Sequence, residues 1–154
     1  MRKLSLPPRI KVLEAAGSLA DGRVSVVRDS GEVVEARVSS SMGDRVYRVV
    51  VKVSRDGSLQ AYSDDNGTKF RGYIGYPIIA VLMLKELLPR SLEVERALYR
   101  VPWRELNERL RSYDRVLEEV SRIAEARGVS RAQLEEFMER VLEKIRELRV
   151  YSIA

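Results

Sequence analysis

The sequence predicts an α+β fold, in which an antiparallel four-stranded meander with a flanking N-terminal helix and a buried helix precedes a C-terminal helical hairpin. Three observations support this prediction. Apolar and polar residues alternate in four short runs separated by tight turns, as in sheets with one buried face. Seven consecutive apolar residues follow Pro77, which is typical of a buried helix. From Trp103 onward, apolar residues recur at steps of three and four, which indicates amphipathic helices.

The first half of the chain holds the predicted sheet. Residues 8–20 carry apolar side chains at helical spacing and are expected to form the flanking helix. The four predicted strands are RVSVV (23–27), EVVEARV (32–38), RVYRVVVKV (45–53) and SLQAYS (58–63). In the longest of them, alternation places Val49 and Val51 on the buried face and Arg48 and Lys52 on the solvent face.

The second half is expected to be helical. The apolar stripe that starts at Trp103 predicts one continuous helix over residues 103–127. Ser130 and Gln133 have the spacing of a capping box, so a last helix is expected over residues 130–149. The short turn between these two helices predicts an antiparallel helical hairpin.

A domain boundary is expected near residues 89–91, which separates an α+β domain (8–88) from a helical extension (91–154).

The positive charge of the chain lies in its first part. Residues 1–90 contain 15 Lys and Arg against 10 Asp and Glu, whereas residues 91–154 contain 13 of each. A basic domain attracts nucleic acid or another polyanion, although a moderate excess also serves solubility alone.

The composition excludes several kinds of chemistry. The chain has no Cys and no His, so thiolate and imidazole ligands are absent and we expect neither metal nor cofactor. Asp64 and Asp65 are adjacent carboxylates, but neighbouring side chains on an extended chain point apart, and a turn is favoured over a Mg²⁺ or Ca²⁺ site. No acid–base pair or nucleophile motif is visible, so we expect no catalytic residue.

The expected setting is the cytoplasm of an organism from a hot habitat. The apolar run Ile78–Leu84 is too short to span a bilayer, and the first residues contain no run that is typical of a signal peptide. Charged residues make up 33% of the chain and Asn and Gln are scarce, as in many thermophilic proteins.

Three short stretches resemble the SWIM zinc-finger family: DGRV at the first strand, YRVVV in the third, and GYPIIAVLML at the buried helix. That family places Cys-x-Cys at the end of a β-hairpin and Cys-x-His at the start of the next helix. On this match, over residues 16–88, Gly75 and Pro77 stand at the second pair of ligand positions. The first pair falls on Ala61 and Ser63, or on Gln60 and Tyr62. All four ligands are missing. The resemblance implies DNA-binding and protein-interaction roles, as in chromatin, transposition and recombination proteins.

Without zinc, aromatic rings are the natural means of holding the strand end to the helix start. Phe70, Tyr73 and Tyr76 are expected to pack against the sheet, while glycines between them permit sharp backbone turns. In the alternative, Tyr73 and Tyr76 are exposed beside Lys69 and Arg71 and stack on the bases of a single strand.

The sequence therefore favours a non-catalytic module that binds DNA without sequence specificity, or that binds a DNA-repair or recombination protein. Side chains on the wet face of the sheet would contact phosphates, which gives affinity without much sequence specificity. The predicted nucleic-acid-binding residues are Arg23, Arg28, Arg37, Arg45, Arg48, Lys52, Lys69, Arg71, Tyr73 and Tyr76.

The alternative is a protein-interaction or assembly adaptor that acts through its C-terminal helices. The last helix offers a second apolar strip, Met138 and Leu142, beside its main stripe. This strip is expected to meet a second copy in a homodimer, a different protein, or the chain's own sheet, because long exposed apolar strips are unusual.

Overall fold

One sheet and six α-helices make up the protein in residues 1–153, the part of the chain that this computed structural model describes. The strands are β1 (Val24–Asp29), β2 (Val33–Ser39), β3 (Val46–Val53), β4 (Leu59–Ser63) and β5 (Val150–Ser152). The helices are α1 (Ile10–Ala20), α2 (Tyr76–Leu84), α3 (Leu92–Ala97), α4 (Trp103–Leu110), α5 (Tyr113–Ala126) and α6 (Arg131–Glu147). The strands lie in sequence order across the sheet. The predicted α+β class is thereby confirmed.

The first four strands form the predicted antiparallel meander. Val34 pairs with Val51 and Ala36 pairs with Val49 across β2 and β3, and all four side chains are buried. The residues between them along each strand point to the other side, which no helix covers within residues 1–153. Because strand side chains alternate with a period of two, this register fixes one dry face and one wet face.

The edge of the sheet beyond β4 is closed by the two ends of the chain. β5 runs parallel to β4, and the N–H of Leu59 donates to the carbonyl of Arg149 over 2.8 Å. On the other side of β5, the N–H of Leu4 donates to the carbonyl of Val150 over 2.9 Å. β5 was not predicted from the sequence, because three residues after a helix are too few for alternation to be recognised.

Helix α2 lies against the dry face, as predicted. Pro77 stands in its first turn, and seven of its nine residues, Pro77 to Met83, are buried. It contacts β3 and β4 on one side and α1 on another, so an apolar surface all round the helix is required. None of the helices in residues 1–153 combines the length and the apolar character needed to cross a bilayer.

The predicted continuous helix over residues 103–127 is wrong. The helix is interrupted between α4 and α5, where Arg111 adopts a left-handed conformation with φ of 51°. The Ser112 hydroxyl then caps α5 by accepting a hydrogen bond from the N–H of Arg115 over 3.4 Å. The apolar spacing continues across this interruption because α4 and α5 both place their apolar stripes against the same core. Periodicity alone therefore does not reveal the interruption.

Helix α6 begins at the predicted capping box of Ser130 and Gln133. Its second strip, Met138 and Leu142, is only 1% and 5% exposed within the single chain. α6 packs against both α1 and α5, so two of its faces are filled from inside the molecule. The expected partner contact through Met138 and Leu142 is therefore corrected: these side chains are buried within the single chain, in a helix that packs against α1 and α5.

The segments on either side of residues 89–91 share one hydrophobic core. Residues of α1, α2 and the sheet belong to the same buried cluster as residues of α3 to α6. The C-terminal strand β5 also pairs within the sheet that the N-terminal segment builds.

Candidate functional site

The wet face of the sheet carries several of the predicted nucleic-acid-binding residues. Arg28, Arg37, Arg48 and Lys52 project from β1, β2 and β3 on this face, and all four are exposed. Arg37 and Arg48 stand directly opposite each other across β2 and β3. The only carboxylate among the strand residues of this face in residues 1–153 is Glu35, so the four cations outnumber it.

Glu35 sits among three of these guanidinium groups. Its carboxylate accepts hydrogen bonds from Arg48 Nε over 2.8 Å and from Arg28 Nη2 over 3.4 Å. The hydrogen bond from Arg48, together with the charges of Arg48, Arg28 and Arg37, lowers the pKa of Glu35. Arg37 and Lys52 make no ion pair within residues 1–153, and they leave the face with net positive charge.

Two tyrosines that the sequence analysis did not select lie on the same face. The Tyr62 ring on β4 lies under the Arg48 guanidinium, 5.8 Å from its centroid. Tyr151 on β5 pairs with Gln60 and is half-buried. Alternation within SLQAYS was a sufficient signal for Tyr62, whereas Tyr151 required the knowledge that β5 exists.

The remaining predicted cations lie elsewhere. Arg23 is held inside the fold, where its Nη1 donates to the carbonyl of Ser39 over 2.7 Å. Arg45 is exposed in the connection between β2 and β3. Lys69 and Arg71 belong to a π-helical turn, Gly67–Arg71, between β4 and α2. The structure thus gathers four of the eight predicted cations on one face.

The connection from β4 to α2 is held by hydrogen bonds to Asp65. Its Oδ2 accepts from the N–H of Thr68 over 3.1 Å, and its Oδ1 accepts from the Thr68 hydroxyl over 2.9 Å. The N–H of Gly75 donates to the same hydroxyl over 3.0 Å. These bonds join the end of a strand to the start of a helix, which is the joint that the SWIM resemblance assigns to zinc. No cluster of three or more acidic residues suited to a metal ion occurs within residues 1–153.

The aromatic residues of this connection differ in their exposure and packing. Phe70 is 73% exposed, so the expectation that it packs on the sheet is wrong. Its place in the π-helical turn directs it outward, beside Lys69. Tyr76 packs edge-on against Tyr47 of β3, with ring centroids 6.2 Å apart and planes at 87°. Tyr73 is half-buried.

Tyr73 and Tyr76 line a cavity of ≈ 360 Å³ at one end of the sheet. Four of the chain's seven tyrosines line it, together with its single tryptophan. These aromatic residues are Tyr47, Tyr73, Tyr76, Trp103 and Tyr113. They come from β3, the connection before α2, α2 itself, α4 and α5, so no sequence motif marks the cavity.

Glu14 of α1 supplies a buried carboxylate to this cavity, with 4% of the residue exposed. Its Oε1 accepts from Lys11 Nζ over 2.9 Å and from Asn107 Nδ2 over 3.2 Å. Its Oε2 has no hydrogen-bond partner within residues 1–153. Oδ1 of Asn107 is a buried acceptor that is likewise unpaired in this part of the chain. The cavity therefore contains acceptor capacity that the protein does not use.

Burial and nearby charges set the protonation states of Lys11, Tyr73 and Tyr76 in the cavity. Burial alone would lower the pKa of Lys11, but the charge and hydrogen bond of Glu14 raise it above the ordinary value. Burial raises the pKa of Tyr73 to about 12 and also raises the pKa of Tyr76. At neutral pH the lysine is charged and both phenols are protonated.

The fold and its surfaces define an α+β protein with an open basic sheet face and a polar, aromatic cavity at its end. The chain belongs to the family described as uncharacterised conserved protein UCP014422, whose model matches residues 4–151. That match extends from the N-terminal edge segment into β5, so it includes β1 to β4 and the first two residues of β5. No curated protein and no solved structure matches the chain.

Proposed function

We propose that the protein is a non-catalytic module that binds DNA without sequence specificity through the wet face of its sheet. The observation that carries the proposal is the placement of Arg28, Arg37, Arg48 and Lys52 on one uncovered face, where Glu35 is the only carboxylate among the strand residues within residues 1–153. Cations in such an arrangement bind phosphates and release counterions, which gives affinity without reading base edges.

The tyrosines of the face favour a single strand. Every nucleobase has a π-face, so stacking on Tyr62 or Tyr151 is tolerant of sequence. Arg48 already lies over the Tyr62 ring, and guanidinium groups of this kind stack on bases as well as pairing with phosphates. The SWIM resemblance agrees with such a role in DNA repair or recombination.

The adaptor alternative is not supported at the strip that was expected to carry it. Met138 and Leu142 are buried in the single chain, so the C-terminal helices do not present the strip through which a partner or a second copy was expected to bind. We therefore place the binding function on the sheet.

Fluorescence anisotropy with labelled single- and double-stranded oligonucleotides of mixed sequence, across a salt series, tests the proposal. Affinity is expected to fall steeply with salt, with a slope of about 0.7 per contacted phosphate for single strands. The double variant Arg37→Glu/Lys52→Glu should bind every sequence more weakly, because two cations that would contact phosphates are replaced by carboxylates. Neither side chain makes an ion pair within residues 1–153, so no internal salt bridge is lost with them.

The matched control is Arg115→Glu/Arg140→Glu, which makes the same change of charge on exposed positions of α5 and α6. Weak binding by the sheet variant with near-normal binding by the control supports the sheet face. Equal losses in the two variants, or no binding of the unmodified protein at low salt, contradict the proposal.

A further inference from the structure

We infer that the cavity at the end of the sheet receives a single nucleobase, either as a free nucleotide or as an unstacked residue of a bound strand. The inference deepens the proposed function, and its second form rests on it. It is carried by the unused oxygen of the buried Glu14 carboxylate and by the aromatic walls around it.

The charge balance of the cavity selects the hydrogen-bonding group of the ligand. Lys11 Nζ lies 2.9 Å from Glu14 Oε1, so the carboxylate is already neutralised within the protein. The lining as a whole already holds one more cation than carboxylates, with Lys11, Arg23, Arg71 and Arg104 against Glu14, Asp65 and Glu108. A further cation would add to this excess in a partly dehydrated site. Glu14 Oε2 therefore suits a neutral N–H donor, such as an amino or imino group of a base.

The walls select a planar ring. Tyr47, Tyr73, Tyr76 and Tyr113 line the cavity, and Trp103 borders it from α4. Aromatic side chains are the usual partners of splayed-out bases, because stacking replaces the contacts that a base loses on leaving its own stack. The volume of ≈ 360 Å³ lies at the lower end of the roughly 300–1,000 Å³ of small-molecule sites, which suits one nucleotide.

Arg71 supplies a group for the phosphate. Arg71 lines the cavity and is exposed, and its guanidinium group makes no hydrogen bond or ion pair within residues 1–153. Arg23 and Arg104 also line the cavity but are engaged with Ser39 and Glu108. A base on Glu14 with its phosphate near Arg71 uses two of the unpaired groups that the cavity offers.

The cavity and the wet face meet on β3. Tyr47 and Arg48 are successive residues, so Tyr47 points to the cavity side of the sheet and Arg48 to the wet face. A strand whose phosphates lie at Arg37 and Arg48 is thus at the same end of β3 as the cavity. Turning one base over this end of the sheet would bring it to Tyr47.

Quenching of the intrinsic fluorescence of Trp103 tests the inference, since this is the only tryptophan and it borders the cavity. The probes are the four nucleoside monophosphates, with ribose 5-phosphate and inorganic phosphate as probes that lack a base. At least one monophosphate is expected to quench saturably, while the two probes without a base do not. Saturable quenching by phosphate alone, or none by any nucleotide, overturns the inference.

Two variants separate the base contact from the phosphate contact. Glu14→Gln should weaken nucleotide binding about tenfold or more, because a carboxylate is the stronger acceptor. Arg71→Ala should weaken binding of the monophosphate but not of the nucleoside. Arg71 is exposed, so this variant should fold even if the buried substitution Glu14→Gln prevents folding. Lys69→Ala is its matched control, since Lys69 is exposed two residues away but does not line the cavity. Unchanged nucleotide affinity in Arg71→Ala, or an equal loss in Lys69→Ala, contradicts the inference.

The same probes distinguish this inference from the proposed function. In Arg37→Glu/Lys52→Glu, oligonucleotide binding should weaken while monophosphate quenching stays the same. Oligonucleotide binding without any monophosphate quenching overturns the inference and leaves the sheet proposal standing. Monophosphate quenching without oligonucleotide binding supports a free-nucleotide site and overturns the sheet proposal.

Discussion

The N–H of Gly75 donates a hydrogen bond to the hydroxyl of Thr68 over 3.0 Å, and the same hydroxyl donates to the Asp65 carboxylate over 2.9 Å. All three residues are buried. A Cβ at Gly75 would collide with the Asp65 carboxylate, so glycine is required for this close approach. The link stabilises the passage from β4 to α2, which carries Tyr73 and Tyr76 to the cavity.

Thr68→Val tests that link. Valine has nearly the same shape but no hydroxyl, so the buried N–H of Gly75 and one oxygen of Asp65 lose their partner. The free energy of unfolding should fall by about 2–3 kcal/mol, as expected for unpaired buried polar groups. Urea denaturation measures the change. Thr68→Ser keeps the hydroxyl and should lose clearly less; equal losses in the two variants would mean that the methyl group, not the hydrogen bond, matters.

Gly17→Ala tests the contact between α1 and Trp103. The added Cβ would lie 2.5 Å from the indole Nε1, which is too close for any real contact. Alanine normally stabilises a helix interior by up to about 1 kcal/mol relative to glycine, yet here we expect a net loss of about 1–3 kcal/mol from overpacking.

A double-mutant cycle with Trp103→Phe checks the cause of that loss. Phenylalanine lacks the indole N–H, so Gly17→Ala should cost less in its presence, and the two changes should couple favourably. Additive effects in thermal or urea unfolding would contradict the proposed collision.

Met138→Ala and Leu142→Ala test whether α6 is buried by its own chain. Each substitution should lower the free energy of unfolding by about 2–4 kcal/mol, because each leaves a cavity in a closed core. The unfolding midpoint should not depend on protein concentration, as it would for an interface between copies. Glu143→Ala, an exposed neighbour on α6, is the control and should change stability little.

Glu35 gives a prediction for pH. Its pKa is lowered from 4.5, mainly by the hydrogen bond from Arg48. A lowered pKa in the folded state means that the pairing contributes stability above pH 4.5, and that this contribution is lost as the pH falls through the lower folded pKa. Carboxyl NMR should show Glu35 titrating below 4.5, and Arg48→Ala should move the midpoint upward. A midpoint unmoved by Arg48→Ala would exclude Arg48 as the cause.

Local patterns determined much of the fold. Alternation placed Val34, Ala36, Val49 and Val51 on the dry face, and the apolar run after Pro77 identified α2 as buried, because these signals depend only on the period of each element. The capping box at Ser130 was readable for the same reason, since its hydrogen bonds join residues three apart. Arg37, Arg48 and Lys52 of the wet face followed from that same alternation. Arg28 did not, because it reaches this face through a register shift between Val26 and Arg28.

Tertiary structure alone decided the burial of α6, the formation of β5 and the composition of the cavity. Whether Met138 and Leu142 met a partner or their own chain depended on where α1 and α5 lie, and spacing along α6 carries no such information. β5 became a strand because the edge of β4 was free to pair with it. The cavity brings Glu14 to Asn107 and Tyr73 towards Tyr113, residues 93 and 40 positions apart. Contacts at such separations arise from packing, which local periodicity does not record.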